Sequence, residues 1–160
     1  MPPMLPANVR AGQVISLVEI TGGLGARIDA SRLADELGAY IAVLIPILDT
    51  AEMLGLVKNE DGEVYLTEFG HKFQKTAKNK VRLLREQLAG IEPFRTALEI
   101  TSHKKDTTAR EVAETLFERG LKWHYNTELN ESILSALLIH WAIYAGLLNY
   151  DGKKGKFQRA

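Results

Sequence analysis

The sequence predicts a mainly α protein with small β-hairpin wings (α+β), organised as two winged helix-turn-helix units in tandem. Three observations carry that expectation. Helical periodicity gives way twice to short strand-like runs, each time just after a glycine. Each strand-like region is broken by an Asp-Gly pair, Asp61-Gly62 and Asp151-Gly152, the dipeptide that fits a tight hairpin. The same order of elements then recurs in both halves of the 160 residues. The expected domains are 1–78, a first unit with an extended N-terminal segment, and 79–160, a linking helix with the second unit.

Pro2, Pro3 and Pro6 fix φ and remove donors, so the first residues are expected to run extended. A first helix starts near Val9, shows Val14, Leu17 and Val18 on one face, and stops in Gly22-Gly23-Leu24-Gly25. Ser31 to Leu37 is a short helix with Gly38 beyond its end. Tyr40 to Leu54 is a longer one, with Gly55 beyond it and Pro46 either near its first turn or kinking it. Leu56–Asn59 and Glu63–Leu66 then form the hairpin around Asp61-Gly62. Thr67 caps a helix to about Ala77 that should pack Phe69 and Phe73 back onto the first unit.

In the second half, Asn79 to Leu88 reads as the linking helix and Pro93 opens a helix reaching Thr101. Thr108 and Glu111 have capping-box spacing for a helix that stops at Gly120. A long apolar helix follows from about Asn130 to Ala145, then a hairpin from Leu147 to Arg159. Leu54-Gly55-Leu56-Val57 matches Ala145-Gly146-Leu147-Leu148, and Leu33-Ala34-Asp35 matches Val112-Ala113-Glu114. The offsets differ because extra residues lie around Lys122 to Glu128 in the second unit.

Composition bounds the chemistry. There are no cysteines, which excludes disulfides and thiolate nucleophiles. No apolar run approaches the roughly 20 residues of a membrane span, and the N-terminus has no secretory pattern, so the expected location is cytoplasmic. His71, His103, His124 and His140 share no metal-ligand spacing, and no phosphate loop or nucleophile elbow occurs. The expectation is a protein that is not an enzyme and has no cofactor.

DNA binding is the alternative, since winged helices place their third helix in the major groove. Ile41 to Leu54 carries no Lys or Arg and presents Asp49 and Glu52 to the outside, and Glu131 to Ala145 carries no cation either. Specific DNA binding is therefore not expected, and any contact with nucleic acid or another anion falls to Lys153, Lys154, Lys156 and Arg159 on the second wing and tail. The last helix is apolar nearly all round. Such a helix is either centrally buried, the default, or shared with a partner, and in the second case Trp141 and Tyr144, with Trp123 and Tyr125 before it, are the expected partner surface and the basis for a homodimer.

Several runs carry a family resemblance: Gly12-Gln13-Val14-Ile15, Leu33-Ala34-Asp35-Glu36-Leu37-Gly38, Leu44-Ile45-Pro46, Leu66-Thr67-Glu68-Phe69-Gly70-His71, Arg85-Glu86-Gln87-Leu88 and Trp141-Ala142-Ile143-Tyr144-Ala145. Together they resemble the AAA-associated C-terminal domain, the extension that follows the ATP-binding subunit of nitrate/sulfonate/bicarbonate-type ABC transporters. Two departures stand out. Ala42 and Val43 precede Leu44 where members tend to carry acids, and His140 precedes Trp141 where an acid is usual. The resemblance implies a regulatory, protein-binding module whose partner is such an ATP-binding subunit, with the acidic Asp49, Glu52, Glu60 and Asp61 and the basic second wing as steering elements.

Overall fold

The computed structural model describes the backbone of residues 5–121 and 127–160, and the side chains of all of these except 127–130. The architecture is mainly α with two small antiparallel sheets, an α+β fold. The chain divides into two compact units: Asn8–Leu83, and Leu84–Ala160 together with Met1–Ala7.

In the unit of residues 8–83, α1 (Ala11–Gly23) starts where the Arg10 N–H donates to Gln13 Oε1 at 2.9 Å. It buries Val14, Leu17 and Val18, the stripe its periodicity marks. Strand β1 (Arg27–Asp29) leads directly into α2 (Ala30–Glu36), because the Asp29 carboxylate accepts the Ser31 N–H at 2.8 Å and so caps the helix. Gly38, at φ +64°, ends that helix and Gly55, at φ +75°, ends α3 (Ile41–Met53). Pro46 stands in the second turn of α3, where it removes one intrahelical hydrogen bond.

Strands β2 (Val57–Glu60) and β3 (Glu63–Leu66) pair antiparallel across Asp61 and Gly62, both at positive φ, as a two-residue hairpin of the I′ kind requires. Strand β1 adds to the far side of β3, giving the order β1-β3-β2. The sequence had given no sign of that third strand. In α4 (Glu68–Lys75) Thr67 is the N-cap, its hydroxyl accepting the Gly70 N–H at 2.9 Å. The helix packs on α1 and β3 with Phe73 fully buried and Phe69 half-buried. α5 (Lys80–Leu88) carries the chain across the division between units.

The second unit repeats the order. α6 (Phe94–His103) opens on a buried carboxylate: Glu92 is 1% exposed and accepts the Thr96 N–H and hydroxyl, both at 2.8 Å. Removing it leaves a buried donor unpaired, so Glu92→Ala should cost about 1–3 kcal/mol of stability. Glu92→Gln, which keeps a carbonyl acceptor for the amide, should cost less. Urea titration of both variants checks the order, and equal midpoints for wild type and Glu92→Ala would contradict it.

Strand β4 (Asp106–Thr107) is followed by α7 (Ala109–Glu118), capped by the Thr108 hydroxyl, which accepts the Glu111 N–H at 3.1 Å. The other arm of the expected capping box is redirected: the Glu111 carboxylate takes the Thr107 hydroxyl at 2.5 Å and the Lys104 ammonium at 2.6 Å. α8 (Thr127–Leu137) runs into a π-helical stretch, Leu138–Ala142, a wider turn that the apolar sequence does not announce. Gly146, at φ +72°, closes it, and Arg85 Nε donates to the Ala145 carbonyl at 2.7 Å. Strands β5 (Leu148–Asp151) and β6 (Lys156–Arg159) form the second hairpin, with β4 added in the order β4-β6-β5. Trp141, Phe94, Phe157 and Leu116 are all fully buried in this unit.

Candidate functional site

The partner surface expected on the last helix does not form as the sequence suggested. Trp141 is 0% exposed, so the expectation that it faces a partner is corrected: the π-helical turn and its neighbours enclose the indole, which meets His140 edge-on with ring centroids 6.1 Å apart. Tyr144, one turn on, keeps 43% of its surface in solvent. Trp123 and Tyr125 lie outside the described residues. A dimer built on the whole apolar circumference of this helix therefore loses its central contact.

A different surface stands open. In α3, Ile41, Val43 and Ile45 are 48%, 48% and 50% exposed, and Tyr40, its N-cap, is 85% exposed. At 100° per residue, Ile41, Ala42, Ile45, Asp49 and Glu52 share one arc of the helix, and all five are exposed, while Leu48 at the edge of that arc and Leu44, Ile47 and Ala51 beyond it are buried. The face is thus apolar in its N-terminal half and acidic in its C-terminal half. Asp49 and Glu52, expected on a contact surface, lie on it. The apolar residues beside them were missed, although the signal was there: five successive apolar residues from Ile41 exceed what one buried face can absorb.

The expected cationic wing is thinned by local bonds. Arg159 donates to the Leu98 carbonyl at 2.8 Å, closing the C-terminal turn of α6, and Lys156 lies 3.7 Å from the Asp106 carboxylate. Lys153 and Lys154 remain on the exposed turn, whose backbone amides donate to Asp151 Oδ1 at 3.0 and 3.3 Å. This turn, α8 and the first turn of α7 bound an open cleft of about 760 Å³ lined by Thr108, Arg110, Ser132, Ser135, Tyr150 and Lys154. Glu131 also lines it and sets a negative charge among the cations. No sequence motif pointed to this cleft, because its hydroxyls come from three separate elements.

Several surface carboxylates are held below their usual range. A hydrogen bond from Arg27 does this to Glu63, one from Arg119 does it to Glu99, and Lys104 and then Thr107 do it to Glu111. The stability these pairs add is present above the ordinary carboxylate range and is lost as pH falls through and below it. Exposed pairs of this kind contribute little each. Among the described residues no group of three His, Asp or Glu is placed to hold a metal ion, and no helix is long and apolar enough to cross a membrane.

The model of the family described as the C-terminal AAA-associated domain matches residues 31–151. The chain belongs to that family. The match runs from α2 through β5, so it spans parts of both units and includes the open α3 face and the buried Trp141, while Lys154 and Gly155 of the cleft lie beyond it. Membership in the AAA-associated family links the chain to AAA-type ATPases. No curated protein and no solved structure matches the chain.

Proposed function

We propose that this protein is a non-catalytic regulatory module that docks onto the ATP-binding subunit of an ABC-type transporter of the nitrate/sulfonate/bicarbonate kind, in the cytoplasm. The observation that carries the reading is the family match across residues 31–151. Each unit has the order helix, strand, helix, helix, hairpin, with the first strand joined to the hairpin, which supports a winged-helix reading of both. A docked module shifts an ATPase by its differential affinity for the open and closed states, and about 1–3 kcal/mol of coupling changes activity several-fold or more. Asp49, Glu52, Glu60 and Asp61 are exposed and fit the steering role, as do Lys153 and Lys154. The test is co-purification with a cognate ATP-binding subunit, then ATP turnover with and without the module. No complex and no change in turnover would retire the proposal.

A second reading, a winged-helix regulator with weak wing-mediated DNA contacts, is favoured by one observation: Lys154 and Arg110 share a cleft with the α8 face. Non-specific binding of this kind has a Kd of about 10⁻⁴–10⁻⁶ M at physiological salt. Because Lys153 and Lys154 are the wing cations with no ion pair among the described residues, K153E/K154E should abolish most of that binding, and restoring one lysine should return about one unit of salt slope. Fluorescence anisotropy on a random duplex over a salt series checks this. Nanomolar affinity for one defined sequence would instead make DNA recognition the main function.

A further inference from the structure

We infer that the exposed face of α3 is a self-association surface, on which the α3 helices of two copies pack antiparallel about a two-fold axis at Ile45. The inference concerns the purified chain alone and stands whether or not an ATPase is the partner.

Ile41, Ala42 and Ile45 form the N-terminal half of the exposed arc, and Asp49 and Glu52 form the C-terminal half. Apolar side chains half in water on successive turns are what an interface covers. The charges then choose the occupant. The first turn of α3 contains no acidic residue and Tyr40 makes no side-chain cap bond, so neither its first turn nor its cap offsets the positive end of the helix. Two carboxylates at the other end of the same face have the sign that such an end attracts. No covalent geometry lets one straight helix bring its two ends together, whereas a second copy does so twice.

Antiparallel packing with Ile45 on the axis sets each Ile45 against its equivalent and each Ile41 near Asp49 of the partner subunit. Tyr40, 85% exposed, then lies beside the same carboxylates, and its phenol is a donor for them. Parallel packing would align Asp49 and Glu52 with their own equivalents, and like charges would oppose it. Two-fold pairing is also the commonest closed arrangement for a soluble chain, since one patch meets itself and leaves nothing open for polymer growth. The Ile45 side chains meeting at the axis supply the apolar contact, and the charges, which salt screens, supply the direction.

The experiment uses the full 160-residue chain in analytical ultracentrifugation, with far-UV circular dichroism and a thermal melt to confirm folding of each variant. Wild type is expected to sediment as a dimer at tens of micromolar, Ile45→Glu as a folded monomer with at least tenfold weaker association, and K153E/K154E as wild type. Because the chain has no cysteine, thiols placed one at a time then report the direction of packing. Ile45→Cys should cross-link to itself through a short bis-maleimide. Ile41→Cys should not, because its equivalents would be about 12 Å apart along the axis at 1.5 Å per residue. Equimolar I41C and D49C should instead cross-link to each other. A monomeric wild type at high micromolar concentration overturns the inference, as does a dimer that survives Ile45→Glu. Self-linking of I41C with no link between I41C and D49C overturns the antiparallel arrangement.

Discussion

Trp141→Ala is expected to lower the unfolding free energy of the unit that holds it by about 3–5 kcal/mol, the cost of truncating a large aromatic in a closed core. The indole is fully buried, and Leu138 and Ala142 of the same π-helical stretch are buried with it, so the vacated space has no solvent to fill it. Against a typical total of about 5–15 kcal/mol, a loss of this size removes much of the stability. Tyr144→Ala, three residues on at a half-exposed position, should stay within about 0.5 kcal/mol. The pair of variants separates a core role from a contact role. If Trp141 instead served a partner, its truncation would leave the melting temperature of the isolated chain where it was.

Gly70→Ala should destabilise the unit of residues 8–83 by about 1–3 kcal/mol or more, against the usual benefit of alanine in a helix. Alanine is favoured over glycine by about 1 kcal/mol in a helix interior, so propensity alone predicts a gain. Here an added Cβ would come within 3.0 Å of the Leu56 carbonyl carbon and closer still to its oxygen. That carbonyl is backbone and accepts the Thr67 N–H at 3.1 Å, while the Thr67 hydroxyl donates to the adjoining Gly55 carbonyl at 2.5 Å. Neither partner can step aside without opening the junction between α3 and α4. Gly22→Ala is the matched control, since its obstacle is the end of the flexible Gln74 side chain, and it should be neutral or slightly stabilising. Chemical denaturation of the two variants should move the midpoint in opposite directions or leave Gly22→Ala unmoved, and a stabilised Gly70→Ala would refute the argument.

What the sequence made legible was whatever a local rule encodes. Asp61-Gly62 could sit at two successive positive φ values and did, and Gly38, Gly55, Gly120 and Gly146 ended helices at positive φ where punctuation placed them. The strands β1 and β4 were not legible. Three and two residues are too short for any period to show, and both exist because β3 and β6 offer a free edge. The candidate surface was misjudged for a related reason. The last helix looked too apolar to cover, yet Trp141, in a π-helical turn that packs against β5, is fully buried. α3 looked ordinary because its buried positions have a regular helical spacing. A one-dimensional pattern shows which side of a helix can be buried, but not whether anything stands opposite the other side.

The sheets themselves limit how anything can bind. Their outer strands are β1 and β2 in one unit and β4 and β5 in the other, and none exceeds four residues. Arg27, Asp29, Lys58 and Glu60 place charges along the first pair, and the Arg27–Glu63 ion pair at 2.6 Å lies across one of these rims. An incoming extended peptide would find at most four register positions, most of them beside a charge, too few to hold a further strand. Amyloid-like stacking from these rims is disfavoured by the same shortness. Recognition by this protein therefore has to be read in the grammar of helix faces and turns, with backbone pairing to a guest strand closed off by construction.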